Sequence, residues 1–123
     1  MTTITAPAFS IVEVNTLPPT HCACGTAKRA FTDVPGAPLS LHEVDISIDA
    51  RTHYHKRQTE VYYILECQPD AEIELNGKRY PVRPGMSIMI PPLTRHRAVG
   101  RMKILNIVAP PVDPADEWFD DPE

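Results

Sequence analysis

Short runs rich in Val, Ile and Tyr, broken at close intervals by proline, make up most of the chain. Residues 26–32, 40–48, 60–67, 71–75, 78–82, 86–90, 96–99 and 102–109 carry the composition of pleated, half-buried strands. Fourteen prolines punctuate them, and proline avoids both helix interiors and central strands. Asn76-Gly77 predicts a tight type I′ hairpin between 71–75 and 78–82, and Pro84-Gly85 a turn that launches 86–90. No amphipathic helix is evident beyond one turn in "PADEWF", after which Trp118 and Phe119 are expected to pack back on the body. About eight strands without helices predict an all-β jelly roll or small barrel.

At 123 residues the chain suits a single domain. Its expected parts are an N-terminal arm (1–25), a core barrel (about 26–110) and an acidic C-terminal tail (111–123). Twelve Lys and Arg against 16 Asp and Glu argue against a nucleic-acid partner. The sequence has no membrane-length apolar run, its first residues lack a basic region and a long apolar region so that no secretory signal is expected, and three cysteines are too few for a disulfide framework. These features predict a cytoplasmic protein. The β-forming "FSIVEV" near the start would leave sheet edges to protect, and pairing them across a two-fold axis predicts a homodimer.

The segment "RTHYHKRQTEVYYILE" (51–66) holds the first candidate chemistry. On a strand His53 and His55 share a face and Tyr54 opposes them. Glu60 has the wrong parity to continue that strand, so "KRQT" (56–59) is expected to be a loop that resets the register. Glu60 then shares a face with Tyr62 and Ile64. His96 follows a proline-marked turn in "PGMSIMIPPLTRH", and two hairpins folded face to face can bring it opposite the first three.

The pattern H-x-H-x4-E, a strand, a hairpin, P-G, a strand and P-x-x-x-x-H resembles the two motifs of the cupin superfamily across residues 53–96. The resemblance implies a jelly-roll barrel, a propensity to dimerise, and metal ligands at His53, His55, Glu60 and His96. Two departures are visible. Cys67 stands near the point where the first motif usually ends in glycine, and the trailing asparagine of the second motif is missing after His96. Neither departure touches a ligand position.

Three imidazoles and one carboxylate suit one divalent transition ion (Fe, Mn, Ni, Co or Zn), with two coordination positions left for a small-molecule ligand. The resemblance implies action on a small oxygen-rich molecule. Dioxygenase chemistry is the first expectation, followed by isomerase, lyase or decarboxylase chemistry, with a non-catalytic binding module as the rival.

Four further residues are candidates for the pocket. His42 shares parity with Val44 and Ile46 and is either pocket wall or a satisfied core histidine. Arg29 can pair a substrate carboxylate from an early strand, although a surface position is the simpler expectation. Tyr62 sits on the inner face, in the core or on the pocket. Cys24, in "THCACG", can lie over the barrel mouth, and the spacing of His21, Cys22 and Cys24 argues against a second metal site. No hydrolase triad, phosphate-binding glycine loop or dinucleotide motif is present.

Overall fold

The computed structural model describes residues 8–22, 25–47 and 50–120. Its strands are β1 (Thr20–Cys22), β2 (Gly25–Ala30), β3 (Ser40–Ile46), β4 (Thr59–Cys67), β5 (Glu72–Leu75), β6 (Lys78–Pro81), β7 (Ser87–Ile90), β8 (His96–Val99) and β9 (Met102–Ala109). One sheet runs β1-β2-β3-β9-β4-β7 and a smaller one β6-β5-β8, with antiparallel pairing throughout. This is the all-β jelly roll that the strand pattern predicts.

The expected hairpin forms with Leu75 opposite Lys78, and Asn76 (φ 50°) and Gly77 (φ 83°) both take the left-handed conformation that a type I′ turn needs. At the second turn the Met86 N–H donates to the Arg83 carbonyl across Pro84 and Gly85. Gly85 has φ 92°, which a type II turn reserves for glycine. Four details differ from the sequence pattern. The sheet begins earlier, because β1 pairs with β2 within the segment expected to be an arm. Phe31 (φ 66°) leaves the strand expected to reach residue 32. Near Cys67, β4 takes a bulge between Ile64 and Glu66 and continues, with Cys67 opposite Met102. "FSIVEV" forms no strand; a short 3₁₀ turn at Val14–Thr16 lies against β2 and β3 instead. Residue 48 of the expected third strand lies outside the described residues, as does Cys24.

Strand register sorts the inner face of the large sheet into rows. Ala27, Val44, Ile104 and Ile64 form one row across β2, β3, β9 and β4, and all four are buried. Ile73 and Ala71 join them in a single apolar cluster. One pleat along, the same strands place Arg29, His42, Asn106 and Tyr62 side by side. A further pleat along come Ser40, Val108, Glu60 and Ile90. The interior therefore passes from hydrocarbon to polar groups along its length.

Candidate metal centre

Backbone hydrogen bonds hold the two motifs together before any side chain does. His53 and His96 exchange N–H to carbonyl bonds of 3.1 and 2.9 Å, and the Leu93 N–H donates to the His55 carbonyl at 2.7 Å. Leu93 does this in a left-handed conformation (φ 73°) that is costly for a branched residue and that the surrounding bonds enforce. Lys56 and Arg57 form the bend between the two histidines and β4, and strand pairing resumes at Thr59.

The ligand-capable atoms of His53, His55, Glu60 and His96 lie within 4.8 Å of one another, and all but the half-buried His53 are buried. Each imidazole is tethered through Nδ1 to a main-chain carbonyl: His53 to Arg51 at 2.9 Å, His55 to Asp116 at 2.6 Å and His96 to Thr94 at 2.8 Å. A carbonyl only accepts, so each Nδ1 carries the proton and each Nε2 presents a lone pair. The Gln58 amide nitrogen also approaches His55 Nδ1, at 3.3 Å, too long to compete with the shorter bond.

Glu60 Oε1 lies 3.0 Å from Nε2 of both His55 and His96. With the rings neutral these contacts set acceptor against acceptor, a repulsive arrangement in a buried site that a metal ion relieves, as does a proton on His55 Nε2. His55 Nε2 is buried and has no hydrogen-bond partner among the described residues. A separation of about 3.0 Å is also that of two ligand atoms at right angles on one ion with bonds of about 2.1 Å. The residues fit a metal ion. The tethers are the outer contacts that commonly orient metal-binding histidines.

The ionisation of the cluster divides: His53 is held neutral, whereas the Glu60 carboxylate favours a proton on His55 when no metal ion is bound. Burial lowers His53 to about 4, helped by the nearby His96, so its lone pair is open at neutral pH. Burial also lowers His55, but the adjacent Glu60 carboxylate and the Asp116 carbonyl outweigh it and raise that ring above the ordinary value. Burial pushes Glu60 up, and the His55 and His96 imidazoles more than reverse this, holding it well below the carboxylate range.

The site opens into a cavity of about 540 Å³. Its walls include Arg29, His42 and Tyr62, so three of the four pocket candidates line it. Arg29 points inward, against the simpler expectation of a surface arginine, because it shares parity with buried Ala27. His42 is both pocket wall and satisfied: its Nε2 lies 2.8 Å from Ser40 Oγ, and burial plus the neighbouring Arg29 lower it to about 4. Tyr62 belongs to the apolar cluster as well as to the cavity wall. His21 and Cys22 reach the cavity rim, and neither joins a metal-binding group among the described residues.

Sequence reasoning missed Asn106 and Asp116. The Asn106 amide donates to Glu60 Oε2 at 2.6 Å and aims the carboxylate. Its only signal is a polar residue inside the apolar run "ILNIV". Asp116 is buried, and its carboxylate accepts the N–H groups of Lys56 (2.9 Å), Arg57 (3.0 Å) and Gln58 (3.1 Å), capping the bend between His55 and Glu60. Burial alone would raise Asp116, but these donors and the Trp118 indole N–H hold it down to about 2. The tail packs back as expected: Trp118 pairs its backbone with Tyr54 and lies under the Lys56 ammonium, while Phe119 lies under the Arg51 guanidinium.

A family model described as "Cupin domain" matches residues 41–108. The chain belongs to the cupin family. Protein MJ1618 of Methanocaldococcus jannaschii is 34% identical over 87 residues, 66% of this chain and 68% of that one. A crystal structure of a protein from Planctomyces limnophilus is 45% identical with a TM-score of 0.90, covering 94% of this chain and all (100%) of that one. Streptomyces Pac13, a nucleoside dehydratase, shares the fold at a TM-score of 0.73 and 19% identity, over 95% of this chain and 90% of its own. No helix among the described residues is long and apolar enough to cross a membrane.

Proposed function

We propose that this cupin is a metal-dependent enzyme that holds one divalent transition ion (Fe, Mn, Ni, Co or Zn) on His53, His55, Glu60 and His96 and acts on a small oxygen-rich molecule. The observation that carries the reading is the convergence of three imidazoles and the Glu60 carboxylate, with ligand atoms within 4.8 Å of one another, at the wall of a cavity large enough for a metabolite. A bound ion supplies Lewis acidity and a template for substrate oxygens. Around it, Asn106 fixes the carboxylate, Asp116 fixes the His55 bend, and Val44, Ile104 and Tyr62 exclude water from one side.

Dioxygenase-type oxidation is the first activity to test, because a nitrogen and oxygen ligand set without sulfur suits a redox-active ion. A second reading is isomerase, lyase or decarboxylase chemistry. Two observations favour it: His42, neutral at physiological pH, stands on the cavity wall in the same row as Asn106 and Tyr62, and the structural relative Pac13 is a nucleoside dehydratase. The deciding experiment joins elemental analysis to oxygen uptake and proton-exchange NMR against carboxylates, diketones and phenols. We expect about one ion per chain, lost in His96→Ala and bound more weakly in Glu60→Gln. Full metal in His96→Ala overturns the site. Oxygen uptake selects the oxidative reading, exchange without uptake selects the second, and neither leaves a binding module.

We also propose a cytoplasmic homodimer. The outer face of the large sheet carries an apolar row of Leu41, Ile107, Val61 and Met89, and Met89 is 69% exposed on the edge strand β7. Light scattering that gives a monomer mass at micromolar concentration refutes the dimer.

A further inference from the structure

Two buried polar atoms in the row next to the metal centre have no hydrogen-bond partner among the described residues: Arg29 Nε, a donor, and Asn106 Oδ1, an acceptor. They belong to side chains on β2 and β9, on either side of His42, and both side chains line the cavity. Leaving such an atom unpaired is costly in a buried site, so a complementary ligand gains by pairing it.

The acidic residues of the cavity are committed elsewhere. Glu60 accepts from the Asn106 amide and belongs to the metal-binding group with His55 and His96; Asp113 pairs with Arg57; and Glu117 lies 3.9 Å from His53 Nε2. Among the described residues no carboxylate pairs with Arg29. A planar guanidinium fork matches a carboxylate in bidentate fashion. A divalent ion on three neutral imidazoles and one carboxylate would leave a net positive charge at the other end of the same cavity, so both ends favour an anion.

We propose that Arg29 is a carboxylate-binding subsite and Asn106 Oδ1 a hydroxyl acceptor, so that the substrate is a small hydroxycarboxylate lying along the row Arg29–His42–Asn106 toward the metal centre. Two strand spacings of about 4.8 Å separate Arg29 from Asn106. A hydrogen bond at each end and a chain of a few carbons bridge that span. The proposal rests on the metal-enzyme reading for the far end of the ligand, but its anchor is independent of any ion.

The test is isothermal titration of lactate, malate, gluconate and salicylate, each beside its neutral amide, into metal-loaded and chelator-stripped protein. Metal content and thermal midpoint are checked for each variant. We expect at least one acid to bind more tightly than its amide. Arg29→Gln should remove about 10- to 100-fold of that preference with metal content unchanged, and Arg29→Lys should restore part of it. The Arg29 dependence should persist in stripped protein. If the metal reading alone fails, stripping changes nothing and the Arg29 effect remains. No preference for any acid in the wild type, or an equal preference in folded Arg29→Gln, overturns the subsite.

Discussion

Two adjacent rows of the large sheet, one pleat apart on the same four strands, do opposite work. Ala27, Val44, Ile104 and Ile64 close one end of the barrel with hydrocarbon. Arg29, His42, Asn106 and Tyr62 open the other into a polar cavity beside the metal ligands. Strand parity decides which side chains face inward, and it treats both rows alike. Their difference lies wholly in residue identity, so the barrel can gain or lose a reactive end without changing its backbone. One row should therefore govern stability and the other should govern ligands.

The largest expected effect tests the apolar side. Ile104→Ala removes a fully buried side chain between Val44 and Ile64 and should cost about 2–5 kcal/mol of stability in chemical denaturation. The fraction that remains folded should keep its metal stoichiometry; loss of metal in step with stability would show that the two ends are not separable.

A smaller effect should appear at the polar end with the core untouched. Asp116→Ala leaves the Lys56, Arg57 and Gln58 N–H groups without their acceptor and loosens the bend after His55. Competition with a chelator should show metal affinity reduced by about 10- to 100-fold, while near-ultraviolet circular dichroism keeps the native signal. Unchanged affinity would mean that the backbone bonds between His53 and His96 suffice.

A further effect concerns protons. His42 titrates near 4 in the fold and near 6.5 when free, so between these values the unfolded chain binds more protons. Its contribution is complete above about pH 6.5 and is lost as pH falls toward 4. The thermal midpoint of metal-free protein should drop by several degrees across that window. His42→Asn should flatten the dependence, leaving the share owed to His53, which is lowered to the same extent. An identical slope in the variant would remove His42 from the account.

What the sequence could reveal follows the range of the forces involved. The Asn76-Gly77 hairpin, the shared face of His53 and His55, and the register reset before Glu60 are set within a few residues, and the structure shows each of them. β1 was illegible because it is short and exposed, with Pro18-Pro19 just before it and no buried face to create a pattern. Asn106 and Asp116 act on partners 46 and 61 residues away, which no local pattern can announce. The inward turn of Arg29 was half legible: parity with Ala27 gave the direction, but an arginine without a visible partner reads more simply as solvated.

The contact between Tyr54 and the Trp118 segment also has a meaning in time. Chains are made from the N-terminus, and Asp116 and Trp118 follow every strand of the barrel in the order of synthesis. The bend that carries His55 therefore has no acceptor for its N–H groups until β9 has already been made. The frame can close first and the centre be locked last, so a nascent chain that stalls after β9 would hold a complete barrel around an uncapped site.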